Sequence, residues 1–516
     1  MLKKSFTLVL AAITCAACLS GCGGDKEVAQ STEKKLDYWI PLQGAAATLV
    51  DNLDDTPLYK KMQENTGIEV NFTHPSGGSL SEKFNILMAS NEFPDMIQYN
   101  WMSYPGGPQK AIDEGVIIDI YEYKDKIPNL MKYLNENPDV KKLCETNEGA
   151  LFSFPFIRGD ESLQVSWGMS LRKDWLDELG LSVPETIDEW EAVLTAFKEK
   201  KGATSPLSIT TEAFKNGQFV GAFDTTMGYY IDEGKVKYGM LEPGFKDFLV
   251  VMNRWYTNGL LDKNFALLDN TTIDSNMLNG ESGAAGLSLG NGIGRYLATA
   301  TDEKFDLVGA PSPVLKKGDK PEFGYIQTAV PPMTNAFTAI CSDSENIETA
   351  LEFLDYGYSE EGHMLYNFGI EGESYNMVDG YPKYTELITN NPEGHAMNIM
   401  LSQYTASYSS GPFVQDKRYM EQYASLPQQL NAWDIWTQTN MKEHVLPNLH
   451  FASDKQNELA LLDNSIDTFA AEMITKFIVG TKSFDEYDSV IEELKTRGIE
   501  RSLEIRNEAY KVYLNK

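Results

Sequence analysis

The chain has 516 residues, 42% of them hydrophobic, and a formal net charge of −31 at pH 7. Such a length is too great for one core and suits two or three domains. The charge repels phosphate backbones and anionic lipid surfaces, so nucleic acid is not an expected partner and a strongly anionic ligand is disfavoured.

Lys3 and Lys4 precede an apolar stretch, Phe6 to Leu19, broken only by Thr7, Thr14 and two cysteines. It is shorter than the about 20 residues of a spanning helix, so residues 1–21 read as a secretion signal. Its end, Leu19-Ser20-Gly21-Cys22, resembles the lipobox of bacterial lipoproteins, in which the cysteine thiol is acylated before cleavage. An ordinary signal with a chance cysteine is the alternative. Position, small neighbours and the polar stretch that follows favour lipidation at Cys22. Residues 22–35 are too polar to bury a core and read as a flexible tether. Only Cys144 and Cys341 remain in the mature domain. They either pair or, as isolated cysteines more often do, serve as small buried apolar groups.

Leu36 to Ile40 reads as a first strand, followed by a helix around Leu58, Met62 and Thr66 that ends at Gly67. Ile68 to Phe72 alternates apolar and polar and predicts a second strand. Ser81 is a candidate cap for a helix carrying Phe84, Leu87 and Met88, and Pro94 stops it. Asp95 to Tyr99 predicts a third strand. Strand–helix–strand–helix–strand at this spacing predicts a parallel α/β sheet, with ligands beyond the carboxyl ends of its strands. The loops after Ile40 and Tyr99 are thus candidate site loops.

A second region opens near Trp167. A short helix runs from Lys173 to Leu179, and Thr186 with Glu189 forms a capping box for a longer one carrying Trp190, Val193, Leu194 and Phe197. Phe245 to Trp255 predicts a further helix. Gly280 to Gly294 reads as loop and short strand. Ala336 to Cys341 is strand-like, and Ile347, Ala350, Leu351 and Leu354 mark a helix face. The C-terminal third is strongly helical, with Leu459, Leu462, Ile466, Phe469, Met473 and Phe477 as a buried stripe.

Three segments carry a wider likeness. These are Lys83 to Ser90 with Phe93 to Met96 (KFNILMAS, FPDM); Leu171 to Leu176 with Leu179 to Leu181, Val183 to Thr186 and Trp190; and Tyr358 to Gly362 with Asn367 to Gly372 (NFGIEG). With these the chain resembles the extracellular solute-binding proteins of ABC importers, of the large LplA-like lipoprotein type. The resemblance implies two α/β lobes closing like a clamshell, with crossing hinge segments and extra C-terminal helices. Lobe 1 would take residues 36–155 and 327–382, and lobe 2 residues 156–326 and 383–516. It also implies a sugar ligand, permease subunits as partners, attachment to the outer face of the cell membrane, and a monomer with no cofactor. Many relatives carry an acidic, calcium-like loop after the helix that contains Trp190. Here that stretch, Lys198 to Ser205, lacks such oxygen ligands, and no ion is expected there.

A sugar offers weakly apolar faces to aromatic rings and a rim of hydroxyls to polar side chains. Trp101, just after the third strand, is the leading stacking candidate, with a core position as its alternative. Its replacement by Ala is expected to weaken binding and spare folding. Trp167 and Trp39 are further candidates. Glu371 and Tyr375 lie in a Gly-bounded loop as a carboxylate and phenol for hydroxyls. Arg172 is a ligand contact or a structural ion pair. Asn291 and Arg295 are candidates from the Gly-rich loop. Trp433 and Trp436 either add an opposing wall or simply pack, whereas Trp175 and Trp190 read as core.

Gly286-Leu287-Ser288-Leu289-Gly290 matches the G-x-S-x-G elbow of hydrolases, a weak match in so Gly-rich a stretch. The histidines lack zinc spacing. The chain therefore reads as a binding protein with no catalytic residue and no metal. A secreted carbohydrate-active enzyme and a peptide-binding carrier are the alternatives.

Overall fold

A computed structural model describes residues 34–516, apart from positions 78, 334, 408 and 409. The expected signal, Cys22 and most of the expected tether lie outside the described residues.

β1 (Lys34–Trp39), β2 (Ile68–Thr73) and β3 (Met96–Tyr99) run parallel, with β1 in the middle. In β2, Ile68, Val70 and Phe72 are buried while Glu69, Asn71 and Thr73 face out, the period-two pattern of a half-buried strand. β1 begins earlier than expected, because Lys34 and Lys35 pair with Ile68 and Glu69. Thr56 caps the helix Pro57–Thr66, and Gly67 ends it at φ 66°, a left-handed conformation that costs glycine little. The next helix, Leu80–Ser90, is capped by Ser79 rather than Ser81. Glu82, three residues on, completes a capping box with Ser79.

The chain leaves this sheet through β4 (Phe154–Pro155) and β5 (Ile157–Arg158). β6 (Trp167–Arg172) starts a second sheet, followed by the helix Ile187–Lys201 with its Thr186–Glu189 capping box, then β7 (Leu207–Ser208). β8 (Tyr229–Asp232) and β9 (Lys235–Tyr238) form a hairpin. β10 (Ala284–Ser288) and β11 (Leu307–Gly309) complete the second sheet, in the order β11-β6-β10-β7. β12 (Phe337–Ile340) then returns to the first sheet, antiparallel to β3 and β4 on either side. β13 (Tyr375–Val378) pairs with β14 (Tyr381–Tyr384), and β15 (Val414–Gln415) runs parallel to β5.

The β5–β15 ribbon and the returning segment before β12 are therefore the strands that pass between the sheets. They are stitched together by main-chain bonds, Phe156 N–H to Ala336 O at 2.6 Å and Arg158 N–H to Ala329 O at 2.8 Å.

Three apolar cores result. The first packs Tyr38, Ile97, Phe337 and Leu351 around the first sheet and also takes in Ala406, Phe413 and Val414. Adjacent Ala284 and Ala285 point to opposite faces of the second sheet, which is covered on both sides. On one side lie Trp190, Trp255 and the Ile466–Phe477 stripe of the long helix Ser453–Ile478. On the other, Leu287 and Leu289 meet Phe368, Tyr404 and Trp436. Between Phe368 and Trp436 the chain alternates between the third and first cores, and from Ile466 to Ile499 it packs on the second.

Cys144 and Cys341 are both free and buried, and burial pushes both thiols up. No helix among the described residues is long and apolar enough to cross a membrane.

Candidate functional site

The loop after β1 and the turn after β10 line cavities, the latter together with the crossing strands. Besides a groove of about 520 Å³ lined by Glu136, Asp139, Arg158, Asp160, Glu161 and Ala329, two cavities open there. The larger, about 200 Å³, is lined by Phe156 and Arg158 of one crossing, Ser288 to Asn291 after β10, Met333 of the second crossing, and Gln415, Tyr419 and Tyr423 of the third. A narrower one lies against Pro41, Gln43 and Leu53 from the loop after β1, and Gln98 of β3. Ser410 lines both.

Two buried polar atoms of the larger cavity lack partners. The Arg158 guanidinium donates from Nη1 to Leu163 O at 2.7 Å and from Nη2 to the Gln327 side chain, but its Nε has no acceptor. Burial lowers its pKa, and the neighbouring Tyr325 and Tyr419 oppose that shift. Gln415 donates from Nε2 to Ser407 O at 2.7 Å, but its Oε1 receives no hydrogen bond. Both atoms are buried and unpaired on residues that line one cavity, whereas buried polar groups are ordinarily paired.

The apolar wall is aromatic. Tyr419 and Tyr423, one turn apart on the helix Lys417–Tyr423, stack at 5.8 Å with planes 8° apart. Tyr423 lies so close to Gly290 that a methyl there would come 2.2 Å from its hydroxyl oxygen. Asp416 holds this helix by capping Arg418 N–H at 2.8 Å. It also pairs with the Arg418 guanidinium, 2.5 Å at the closest, and with His363 Nε2 at 3.1 Å. Burial pushes its pKa up, but the His363 and Arg418 bonds outweigh that and hold the carboxyl well below its ordinary range.

Of the expected site residues, Asn291 lines this cavity. Arg295 does not: it pairs with Asp274 at 2.6 Å and donates from Nε to Asn291 O at 2.8 Å, so it steadies the loop from outside. Trp167 is half-buried, edge-on to Tyr325 at 5.8 Å and pressed on Gly286, one residue beyond the lining Ser166.

Trp101 is a core residue. A single turn after β3 folds its ring back under the sheet, where it is 0% exposed. There it donates to Ile97 O at 3.2 Å and packs edge-on to Phe84 at 5.3 Å. No ring face is left for a ligand. Trp39 is also core, against Phe84 and Tyr99. Arg172 is the structural alternative: it clamps Asp174 at 2.8 and 2.6 Å between the rings of Trp175 and Phe305. Glu371 and Tyr375 line a separate groove of about 600 Å³ with Lys61, Glu360 and Glu361, and share no lining residue with the central cavity. Trp433 and Trp436 are buried and donate to main-chain oxygens of Ser162 and Met169.

Ser288 lines the cavity, and β10 is followed by a wide helical turn, Leu289–Gly294, and a short helix rather than an open loop. Among the described lining residues there is no histidine to serve Ser288 as the base of a hydrolase elbow. Sequence reasoning missed Arg158, Gln415, Tyr419 and Tyr423. The available signals were a charged residue just past the expected lobe boundary at Pro155, and an i, i+4 tyrosine pair.

A family model described as bacterial extracellular solute-binding protein matches residues 41–364. Lipoprotein LipO of Bacillus subtilis is 23% identical over 527 residues, covering 99% of this chain and 98% of its own. The fructooligosaccharide ABC transporter substrate-binding protein FusA of Streptococcus pneumoniae is 24% identical over 550 residues, covering 99% and 98%. Among solved structures, a solute-binding protein of Bifidobacterium longum infantis, described as HMO-binding and ABC-transporter associated, superposes with a TM-score of 0.76. It is 18% identical and covers 93% of this chain and 99% of its own. The matched fold is the two-lobe α/β clamshell expected from the sequence. The chain belongs to the family of bacterial extracellular solute-binding proteins.

Proposed function

We propose that the chain is the substrate-binding component of an ABC importer, taking an oligosaccharide into the cavity at the crossing strands and delivering it to a membrane permease. The polar side chains of Arg158 and Gln415 beside stacked tyrosines in one cavity carry this reading, because a sugar presents both hydroxyls and a stackable face. FusA, by its name a fructooligosaccharide binder, supports the ligand class, and LipO, by its name a lipoprotein, supports an anchor. The role is capture without catalysis. Residues 1–21 act as the signal, acylated Cys22 holds the chain on the outer membrane face, and the lobes, taken as residues 36–155 with 327–382 and the remainder, close on the ligand by population shift.

Titration calorimetry and thermal melting against oligosaccharides and against peptides test this. Saccharide binding should raise Tm and return the sugar unchanged. Exclusive peptide binding, or release of shorter sugars, overturns it. Cys22→Ala should release the protein from the membrane into the medium. Unchanged membrane retention of that variant would remove the anchor.

A further inference from the structure

We infer that Asn367 is a positioning residue for the ligand cavity: its buried side-chain amide takes the place of a strand on the free edge of β15 and so sets Gln415 and the tyrosine wall. This rests on the proposed carbohydrate-binding role and names a residue outside the cavity on which affinity depends.

Asn367 lies near the end of the helix Glu360–Phe368, is 0% exposed and lines neither cavity. Along one edge of β15, Phe413 O and Gln415 O accept from Ile157 and Gly159 N–H of the β5 segment at 3.1 and 3.0 Å. Along the other edge, Val414 O and Asp416 N–H face away from β5 and need a second neighbour. Asn367 meets both. Its Nδ2 donates to Val414 O at 2.9 Å, and its Oδ1 accepts from Asp416 N–H at 2.8 Å. A residue of an adjacent parallel strand would make the same pair of bonds.

The rest of the amide is filled too. Nδ2 donates to His363 O at 2.9 Å, and Oδ1 accepts from Ser407 Oγ at 2.7 Å. Two donors and two acceptors are the inventory of a primary amide. A main-chain N–H only donates and a carbonyl only accepts, so the bonds to Val414 and Asp416 fix which end of the amide is which.

These bonds reach the cavity by two routes. Ser407, held through its hydroxyl, offers its carbonyl to Gln415 Nε2 at 2.7 Å. Asn367 thus governs both the strand that carries Gln415 and the group that orients its side chain. Asp416, held through its N–H, caps the helix of Tyr419 and Tyr423. The helix Glu360–Phe368 is itself rooted in the first core through Leu365 and Tyr366. A side chain outside the cavity thereby ties its wall to that core.

The experiment uses the mature chain and Asn367→Asp, with calorimetry against trimers of glucose, galactose, mannose and fructose. At about pH 7.5 the new carboxylate cannot donate to Val414 O and lies against the Asp416 acid, so affinity should fall about tenfold or more. At about pH 5, burial and the Asp416 charge favour the protonated acid, whose O–H donates to Val414 O again. Affinity should then return to within about threefold of the native chain. The native chain is titrated alongside, because His363, Asp416, Arg418 and Tyr384 surround this position and their ionisation is common to both proteins. A residue that only supports the fold would lower Tm and leave affinity in the folded protein unchanged at both pH values. Affinity within about twofold of native at pH 7.5, or a loss that persists at pH 5, overturns the inference and leaves the carbohydrate reading standing. If the variant does not fold, amide hydrogen exchange of the native chain decides. Bound saccharide should slow exchange at Asp416, and equal rates with and without it overturn the inference. If no saccharide binds the native chain, the carbohydrate reading falls and this inference with it.

Discussion

The segments that follow β3 and β10 place their side chains in opposite ways. After β3, the chain turns its largest side chain, Trp101, under the sheet into a core of Phe84, Tyr99 and Tyr104. After β10, the Gly-rich turn keeps its small and polar groups, Ser288 to Asn291, at the cavity and lets Tyr423 close in from another helix. A large aromatic beside a regular strand is drawn into the core by the apolar area it buries. The cavity lining is left to residues whose local sequence has no strong periodicity.

That contrast breaks first at Trp101. Trp101→Ala should destabilise the fold by about 3–5 kcal/mol, the cost of emptying a core aromatic site, while leaving saccharide affinity in the surviving folded protein near native. Urea unfolding paired with calorimetry reads both. A stable variant with weakened binding would return Trp101 to the site and undo the comparison.

A second difference is electrostatic. His450 is buried against Phe152 near the first core, with neither ring nitrogen partnered, and burial, helped by the Lys516 charge, pulls its pKa down to about 3. The folded chain keeps it neutral, whereas the unfolded chain protonates it below its ordinary value near 6.5. Its contribution is therefore complete above about pH 6.5 and is lost as pH falls toward 3, with a limiting slope of about 1.4 kcal/mol per pH unit. His450→Phe should flatten that acid limb in chemical denaturation between pH 6 and 4. A limb as steep as the native one would show that the imidazole takes no part. Such a variant should leave the site unaltered, because His450 lines neither cavity.

The smallest effect sharpens the other side of the comparison. Gly290→Ala forces Tyr423 to shift, since the added methyl would meet its phenol. Overpacking of this kind costs about 1–3 kcal/mol. Here Tyr423 faces a cavity, so the cost should appear mainly as weaker saccharide binding, about tenfold, with Tm little changed. Equal affinity in this variant would take the tyrosine wall out of the site.

Much of this was legible in the residues alone. The alternation Ile68, Val70, Phe72, the 186–189 capping box and the Ile347 to Leu354 stripe each state a local geometry, because side-chain period and cap chemistry are short-range properties. The Asn291 turn was found because glycines mark where the backbone bends away from regular structure. Trp101, Trp39 and Arg172 were misplaced for one reason: an aromatic or a cation is equally at home in a core or in a cleft, and only its neighbours decide. Arg172 sits beside its own acid, Asp174, two residues on. Arg158 also has an acid two residues on, Asp160, but that carboxylate bonds Ser162 and Lys417 instead, and nothing in the local sequence says so.

The sequence by itself determined the strands, most helix caps and the family likeness, all carried within a few residues or by direct pattern. Only the tertiary structure decided that Phe156 to Arg158, the return before Phe337 and Val414 to Asp416 converge. The physical reason is that these crossings lie up to 250 or more residues apart along the chain and meet through main-chain pairing, Ile157 with Val414 among them. Such pairing leaves no periodic trace in the side chains, so the cavity it encloses, lined by Arg158 and Gln415, is a property of the folded chain.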